Sequence, residues 1–284
     1  MTWVYLDGAF VAAEEARVAA GDTAVLFGHG LFETFRARRG AVYLLDRHLA
    51  RLRAGAETLG IEPPAELAGL AAIVRELSER CAFEEARVRL TLTAGAEGGR
   101  PALLIQARPA LDYPEHLYEQ GIAAVVASVR RNETSPLSRV KSLNYLDNLL
   151  ARQQARNAGA DEAILLNTRG LVAEGSASNL FVVRGAELVT PPLDDGALPG
   201  VTRGAVLALA AAAGLRPVEA SLTLDDLRNA EEAFLTNAIA GVLPLVAVDG
   251  AAIGAAAPGE GTQRLRALYE NAVRESGVVR PDPA

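Results

Sequence analysis

Lys141 is the only lysine in the chain, and the other 27 of its 28 basic residues are arginine. Arginine can replace lysine wherever only a positive charge is needed, but its guanidinium group stays protonated and is a poor nucleophile. An amine that must form an imine with an aldehyde cannot be replaced in this way. The lone lysine is therefore either a chance survivor at the surface or a nucleophile, and its neighbours in the sequence must decide.

The pattern around Lys141 places it at a junction between a loop and a helix. A polar segment, residues 132–136, precedes it, and leucines at helical spacing follow it until Gly159 ends the predicted helix. A free lysine amine has a pKa of about 10.4, so it needs a desolvated or cationic setting or a covalent aldehyde partner to react at neutral pH. The junction favours the functional interpretation.

Pyridoxal 5'-phosphate requires three things of a protein: an amine that forms a Schiff base, a carboxylate that faces the pyridine nitrogen, and a cradle for the phosphate. Glu174 is the candidate carboxylate, because it ends an apolar strand and would be partly buried there. A buried carboxylate needs a cation nearby. A pyridinium would supply that cation. The alternative is an ordinary glutamate that faces solvent at the end of a strand.

Candidate phosphate ligands come from three segments of the chain. Val201 and Thr202 start a predicted helix after a Pro-Gly pair, where backbone N–H groups favour an anion. Arg51 could add a two-point guanidinium contact, and Thr236 with Asn237 could add a hydroxyl and an amide. Each segment also has a plain structural interpretation, so the combination carries the prediction.

Strands and helices alternate along the whole chain, which predicts a mixed α/β fold. Turn residues predict four hairpins, over residues 4–11, 31–45, 163–173 and 180–190. Asp46 as an N-cap and Gly60 as a stop predict a helix between them. Further strands are predicted at residues 88–92, 103–107, 122–129 and 233–235, and further helices at residues 202–213 and 263–276.

A length of 284 residues favours two lobes over one small core. The polar segment 130–138 is the predicted boundary, which would separate an N-terminal α/β lobe, residues 1–129, from a C-terminal cofactor-binding lobe, residues 139–284. This division predicts that Lys141 lies at the mouth of a cleft between the lobes.

Composition argues against several classes of function. A net charge of -7 and a pI near 5.2 disfavour a nucleic-acid surface, and the three histidines, His29, His48 and His116, lack metal-ligand spacing. Cys81 is the only cysteine, the first residues do not resemble a signal peptide, and the apolar run at 206–213 is too short to cross a membrane. We therefore expect a cytoplasmic enzyme without a metal or membrane partner.

Taken together, these motifs resemble the class IV aminotransferase family, the fold-type IV pyridoxal phosphate enzymes. The family includes branched-chain aminotransferases, D-amino acid aminotransferases and 4-amino-4-deoxychorismate lyases. The resemblance runs in order through residues 5–8, 27–34, 48–52, Lys141, Glu174, 200–203 and Thr236. It implies a two-lobed α/β (α+β) fold with pyridoxal 5'-phosphate between the lobes, and a homodimer with the active site at its interface.

The resemblance also implies roles for single residues. Lys141 would hold the cofactor as a Schiff base and shuttle the substrate proton, Glu174 would keep the pyridine nitrogen protonated, and Tyr145 would hydrogen-bond the ring hydroxyl. The phosphate would be held by Arg51, Val201, Thr202 and Thr236, with Asn237 beside them. The candidate substrate-binding residues are Thr34, Arg36, Arg87, Arg89 and Ala238, although the arginines could instead form a charged strand face.

The motifs disagree about the reaction. Residues 98–102 lack the histidine of the Arg-x-His carboxylate trap found in D-amino acid enzymes, and Arg87-Val88-Arg89 replaces the Tyr-x-Arg of branched-chain enzymes. The triplets at 32–34 and 235–237 are similar to those of the lyases, but the substrate strand reads Thr-Ala-Gly at 93–95 instead of Ser/Thr-Arg-Gly.

Because residues 141–152 resemble the transaminases closely, we expect transfer of an amino group between a branched-chain-like or other hydrophobic amino acid and an α-keto acid. The alternative is a 4-amino-4-deoxychorismate lyase that forms 4-aminobenzoate and pyruvate. A non-catalytic binding protein on the same scaffold is the remote alternative.

Overall fold

The structure, a computed structural model, describes residues 2–110 and 113–276, which divide into two compact units. The described parts of the first unit are residues 2–110, 140–144 and 272–276, and those of the second are residues 113–139 and 145–271. This division differs from the predicted lobes. The strand at 122–131 pairs within the sheet of the second unit, whereas segment 140–144 belongs to the first. The remaining residues of the predicted lobes, residues 1, 111–112 and 277–284, lie outside the described ones.

The first unit is built on a six-stranded sheet in which every pairing is antiparallel. Its strands are β1 (Trp3–Leu6), β2 (Ala9–Ala12), β3 (Gly30–Arg38), β4 (Ala41–Val42), β5 (Glu85–Thr93) and β6 (Leu103–Pro109), in the order β2-β1-β6-β5-β3-β4. Its helices are α1 (Thr23–Phe27), α2 (Leu45–Leu59) and α3 (Leu70–Arg80). Apolar residues of α2 and α3 pack on one face of the sheet and form the core of this unit.

Strand β3 shows why the sheet has one buried and one open face. Successive side chains of a strand point to opposite faces, so Leu31, Phe35 and Ala37 join the core. Thr34 and Arg36 point the other way and are only half-buried. Glu33 is the exception, because it places a carboxylate on the core face and is only 1% exposed.

The short segment 140–143 runs antiparallel beside the beginning of β3 and extends the sheet there. The backbone N–H of Phe32 donates to the carbonyl oxygen of Lys141 (2.9 Å), and that of Leu143 donates to the carbonyl oxygen of Gly30 (2.8 Å). Gly30 is required at this point, because a Cβ atom there would lie 2.7 Å from both Leu143 and the backbone of Leu92. This close packing fixes the position of Lys141 on the sheet.

The second unit contains a mixed nine-stranded sheet. Its strands are β7 (Ile122–Arg131), β8 (Glu162–Asn167), β9 (Val172–Gly175), β10 (Asn179–Arg184), β11 (Glu187–Thr190), β12 (Arg216–Glu219), β13 (Glu232–Asn237), β14 (Gly241–Val248) and β15 (Ala251–Ala252). The order is β12-β11-β10-β13-β14-β7-β8-β9, with β15 paired to β14. The helices are α4 (His116–Glu119), α5 (Leu146–Asn157), α6 (Val201–Leu209), α7 (Leu224–Arg228) and α8 (Glu260–Glu275), the last of which continues into the first unit.

The four predicted hairpins and the further predicted strands are confirmed, but three helices differ at their ends. Helix α8, predicted at residues 263–276, begins at Glu260 and ends at Glu275. Helix α2 ends at Gly60 as predicted, yet it begins at Leu45, so Asp46 lies in its first turn and is not the N-cap. The N-cap is Leu44, whose left-handed backbone (φ 53°) turns the chain from the β3–β4 hairpin into the helix. The α-helix predicted to reach residue 213 ends at Leu209 and is followed by a tighter turn at Ala211–Ala213.

Helix α5 follows Lys141 as predicted, but its leucines do not face the core. Leu146, Leu149 and Leu150 are 66%, 54% and 46% exposed, whereas Ala151 and Ala155 are buried against β7 and β8. In the described part of the chain, no helix is both long enough and apolar enough to span a membrane.

Candidate active site

Lys141 lies on the open face of the first unit's sheet, against an aromatic ring. Its Nζ atom is 4.5 Å from the centre of the Phe32 ring, and Phe32 itself is only 4% exposed. An ammonium group over an aromatic face is held by the negative charge of the ring's π-system. Because Phe32 is also paired to Lys141 through the backbone, the position of the amine is set from both ends of the side chain.

Arg89 shares this ring with Lys141. Its guanidinium carbon lies 3.8 Å from the centre of the Phe32 ring, and its strand neighbour on β3 is Thr34. The structure therefore brings two of the predicted substrate-binding residues, Thr34 and Arg89, to the same part of the open face as Lys141.

Arg36 and Arg87 form the next pair along β3 and β5 on this face, two residues further from Phe32. Arg36 donates a hydrogen bond to Glu85 at 3.5 Å, which directs its guanidinium group toward the far end of the strand. The structure places both arginines on the predicted face but gives Arg36 a partner that lies away from the lysine.

On the opposite face of β3, Glu33 forms a buried cluster with His48 and Arg51 of α2. Arg51 donates from Nε to Oε1 (2.8 Å) and from Nη2 to Oε2 (2.6 Å), and His48 Nδ1 lies 2.8 Å from Oε2. Burial by itself raises the pKa of the Glu33 carboxyl, but the charge of Arg51 and the hydrogen bonds from His48 and Arg51 outweigh it and lower the pKa to about 2. Glu33 is therefore an anion at every physiological pH.

Arg51 is thus a cation whose direction is fixed by its two hydrogen bonds to Glu33. Its side chain is 11% exposed, and the Glu33 side chain 2%. Phe32 and Glu33 are consecutive, so the Lys141 and Arg51 groups occupy opposite faces at the same end of β3. The segment 140–143 forms the sheet edge there, and its Val140 would lie 3.2 Å from a Cβ atom at Gly55 of α2.

In the second unit, Glu174 is a buried carboxylate, only 4% exposed. Its Oε1 atom pairs with Arg131 Nη2 at 3.2 Å, and its Oε2 atom accepts hydrogen bonds from the backbone N–H of Leu198 (2.9 Å) and from Asn179 Nδ2 (3.5 Å). The interpretation of Glu174 as a buried anion therefore agrees with the structure, but the chain itself supplies a cation to it.

Arg131 was not among the predicted site residues. It ends β7, and its side chain also donates to the carbonyl oxygens of Gly196 (3.2 Å) and Ser138 (3.0 Å). The signal that could have revealed it is the rule that a buried carboxylate needs a charged partner, applied to the arginines of the predicted boundary segment 130–138.

Tyr145 lies close enough to Glu174 and Arg131 for their charges to act on its phenol. Burial, followed by the charges of Glu174 and Glu162, raises the pKa of Tyr145 to about 12, while the charge of Arg131 opposes the shift. Its hydroxyl donates to the carbonyl oxygen of Ser176 at 2.9 Å. Tyr145 is therefore a neutral hydrogen-bonding group across the physiological pH range.

The start of α6 has the features that a phosphate group requires. Gly200 is its N-cap and no side chain caps this nine-residue helix, so the first backbone N–H groups can face an anion. Thr236 is paired across the strands with Asn179, and a Cβ atom at Gly200 would lie 1.9 Å from Asn179 Oδ1. The Thr236 hydroxyl oxygen is buried without a hydrogen-bond partner among the described residues, as expected for a group that waits for an outside ligand.

The other predicted residues of this region lie either at the start of α6 or in the turn after β13. Val201 and Thr202 are buried in the first turn of α6. Asn237 uses its side-chain oxygen to accept from the backbone N–H groups of Ile239 (2.9 Å) and Ala240 (2.8 Å), so that oxygen closes the turn after β13. Ala238 is half-buried in the same turn.

The described residues contain no group of three or more side chains placed to bind a metal ion. The two units thus offer an amine, two arginine-compensated carboxylates, a neutral phenol and a helix start with an orphaned hydroxyl. These are the functional groups that pyridoxal 5'-phosphate requires, so the residues present fit that cofactor.

Comparison with known proteins supports the same chemistry. The family model for amino-transferase class IV matches residues 30–248. A putative branched-chain-amino-acid aminotransferase of Methanocaldococcus jannaschii is 37% identical over 97% of this chain and 98% of its own length. A D-alanine aminotransferase of Bacillus licheniformis is 32% identical over 95% of this chain and 96% of its own, and an aminodeoxychorismate lyase of Bacillus subtilis 31% identical over 95% and 94%.

Solved structures of branched-chain amino acid aminotransferases are similar to this chain over nearly its whole length. The enzyme of Thermoproteus uzoniensis with norvaline has a TM-score of 0.88 and 32% identity, and the match covers 97% of this chain and 95% of that one. A second such enzyme, solved with pyridoxamine 5'-phosphate, has a TM-score of 0.90 and 30% identity, with 99% of this chain and 96% of that one covered.

Proposed function

Because the chain belongs to the class IV aminotransferase family, whose members are pyridoxal phosphate enzymes, we propose that it moves an amino group between a hydrophobic, branched-chain-like α-amino acid and an α-keto acid. When bound, the cofactor supplies an electron sink for the negative charge that develops at the substrate Cα. The observation that carries the proposal is the lone lysine, held 4.5 Å from the Phe32 ring beside a second cation.

In this proposal Lys141 has two tasks. Its Nζ atom would hold the cofactor covalently, and the same amine would move the proton of the substrate Cα. Arg89 shares the Phe32 ring with Lys141, so a second cation accompanies the amine on this face of the sheet.

The remaining residues hold the cofactor in our proposal. Glu174 would accept a hydrogen bond from the pyridine nitrogen, and its pairing with Arg131 would hold the carboxylate in place for that purpose. Tyr145 orients the ring through its neutral hydroxyl. The phosphate is held by Arg51, by the backbone N–H groups of Val201 and Thr202, and by the Thr236 hydroxyl, with Asn237 beside them.

Substrate binding is assigned to the open face of β3 and β5. We propose that Arg89 binds the substrate carboxylate, because its guanidinium group lies on the ring that also supports Lys141, and that Phe32 and Thr34 line the adjoining surface. Arg36 and Arg87 are proposed for a more distant part of the substrate, and Ala238 for its other side.

Covalent attachment through Lys141 is tested directly by reduction. Borohydride reduction of the yellow holoenzyme should bleach it and leave one phosphopyridoxyl group on the peptide that contains Lys141. Lys141→Ala should give no covalent adduct, whereas Arg139→Ala, two residues away and bound to Asp194 at the surface, should behave as the parent. A reduced adduct in Lys141→Ala would refute the assignment, and a colourless protein that refuses added cofactor would support the non-catalytic alternative.

The lyase is the second candidate, favoured by the similarity to the Bacillus subtilis aminodeoxychorismate lyase over 95% of the chain. Both reactions begin with the same attachment of the substrate amine and differ in the fate of the Cα charge. Glutamate formed from 2-oxoglutarate with a panel of amino acids supports transamination. Pyruvate released from aminodeoxychorismate in the absence of an amino acceptor supports the lyase.

We further propose a homodimer. The leucines Leu146, Leu149 and Leu150 leave an apolar stripe on α5 in solvent, and α1 exposes Val25, Leu26 and Phe27 at 62%, 56% and 73%. A soluble monomer rarely leaves a stripe of large apolar side chains in solvent, so a second copy of the chain is the proposed cover for each of these helices. A cytoplasmic location is proposed from the single cysteine, which excludes an intrachain disulfide.

A further inference from the structure

Glu33 forms a buried two-point ion pair with Arg51, and we propose that Glu33 is a positioning residue that directs the Arg51 guanidinium group toward the phosphate of the cofactor. The sequence singled out Arg51 but assigned no role to Glu33 or to His48. This inference rests on the proposed function in one respect only, the contact between Arg51 and the phosphate.

The geometry of the guanidinium group supports the proposal. A guanidinium has two edges that each present two parallel N–H donors, one formed by Nε and Nη2 and the other by Nη1 and Nη2. Glu33 binds the Nε–Nη2 edge of Arg51 at 2.8 Å and 2.6 Å. Because the group is planar, a carboxylate that holds one edge also fixes the direction of the second, which points away from Glu33.

Glu33 is itself held rigidly. It lies within the nine-residue strand β3, where Glu33 is opposite Leu90 of β5, and its side chain is 2% exposed. His48 lies 2.8 Å from Oε2 and stands three residues before Arg51 on α2, so two neighbouring positions of one helix face hold the same carboxylate. The His48 ring in turn packs 5.4 Å from the ring of Phe35.

The charges of the Glu33–Arg51 pair explain why the direction of the guanidinium group matters more for phosphate binding than the net charge of the pair. Arg51 and Glu33 together are close to neutral, so the pair attracts a phosphate mainly through aligned N–H groups and only weakly through long-range charge. Replacing a whole buried ion pair by apolar residues is often neutral for stability, so the fold does not by itself require a charged pair at this position, although breaking the pair is costly once it is present. A positioning role accounts for both the burial and the two-point geometry.

The test compares two forms of the cofactor on the apoenzyme. Pyridoxal 5'-phosphate and pyridoxal share the aldehyde and the ring, so only the first reports on the phosphate contact. Glu33→Gln keeps the shape but loses the charge and one acceptor. We expect its Kd for pyridoxal 5'-phosphate to rise about tenfold or more, and its Kd for pyridoxal to stay within about twofold of the parent value.

Two further variants protect the test against misfolding and non-specific effects. Glu33→Asp keeps the charge and withdraws the carboxylate by one methylene, so it should show the same selective loss. Glu85→Gln removes a glutamate that pairs with Arg36 and Arg38 at the end of β5, and should change neither Kd. A loss that is equal for both cofactor forms, or no loss at all, in the Glu33 variants would overturn the proposal.

Arg51→Met separates this inference from the proposed function. If Arg51→Met binds both cofactor forms as the parent does, the role of Arg51 in phosphate binding fails. If Arg51→Met loses affinity for pyridoxal 5'-phosphate alone, while Glu33→Gln binds both cofactor forms as the parent does, only the role of Glu33 fails. If both variants lose affinity for pyridoxal 5'-phosphate alone, the double variant should bind it no more weakly than Arg51→Met does, because Glu33 acts through Arg51.

Discussion

The stability of the first unit should depend on pH through Glu33. Its pKa is about 2 in the folded protein against a usual value of 4.5, which corresponds to roughly 3 kcal/mol in favour of the folded state above pH 5. Because the folded pKa is depressed, this contribution is present above the unfolded pKa and is lost as the pH falls through 4.5 toward 2. Between pH 5 and pH 3 the loss should reach about 2 kcal/mol.

Glu33→Gln isolates this contribution from those of the other carboxyl groups. Glutamine resembles the protonated acid, so the difference in unfolding free energy between the parent and Glu33→Gln should be largest above pH 5 and should shrink as the pH is lowered. Urea titrations of the apoenzyme, followed by the fluorescence of Trp3, measure it. Trp3 is the single tryptophan and packs against the core of the first unit, so its signal reports on the unit that contains Glu33.

Glu85→Gln is the matched control, since Glu85 is a half-exposed partner of arginines on the same sheet. The difference in unfolding free energy between Glu85→Gln and the parent should be small and nearly independent of pH. A parent-to-Glu33→Gln difference that stays constant from pH 6 to pH 3 would refute the claim that Arg51 and His48 hold Glu33 as an anion.

Three further predictions concern the cofactor, the substrate and the assembly. Gly200→Ala should weaken cofactor binding about tenfold or more by equilibrium titration, because the new Cβ would meet Asn179 Oδ1 at 1.9 Å and displace the helix start. Arg89→Met should raise the KM for amino acids by about tenfold or more with a smaller change in kcat, and an unchanged KM would contradict the carboxylate contact. Leu149→Glu should convert the proposed dimer to monomer in sedimentation, and a persistent dimer would place the interface elsewhere.

Local patterns predicted the elements of this fold well because hairpins and strands are encoded by neighbouring residues. The hairpin of β3 and β4 and the glycine after Leu59 are examples, and both agree with the structure. The start of α2 was predicted wrongly for a physical reason. The chain enters that helix through a left-handed residue, Leu44, that closes the preceding hairpin, so Asp46 was not needed as a cap.

The domain boundary and the orientation of α5 depend on contacts that no local pattern encodes. Segment 140–144 joins the first unit only because its backbone pairs with β3, more than a hundred residues earlier. The leucines at 146, 149 and 150 have helical spacing, yet the small Ala151 and Ala155 allow the closest approach to β7 and β8. The periodicity identified the helix but not the face that is buried.

The residues of the proposed site show the same limit, that local sequence patterns do not specify tertiary contacts. Lys141 and Glu174 stood out in the sequence because each has a chemical property that its surroundings make conspicuous, a lone amine and a carboxylate on an apolar strand. Arg131, the partner of Glu174, lies on a different strand, and Glu33 meets Arg51 only when β3 packs against α2. Pairings of this kind are set by tertiary packing, so the sequence alone does not specify them.

Two buried carboxylates that our proposals use, Glu33 in the first unit and Glu174 in the second, are each paired with an arginine of this chain. A lysine in place of either arginine would offer a single point charge. Arginine offers parallel N–H donors in a rigid plane, so one edge of its guanidinium group can hold a carboxylate while the other edge points in a second direction. This difference is consistent with the composition, in which 27 of the 28 lysine and arginine residues are arginine. Arginine can serve wherever the chain needs a charge with a direction, and in our proposal the single lysine stands at the one position where the chemistry requires an amine that can form a bond.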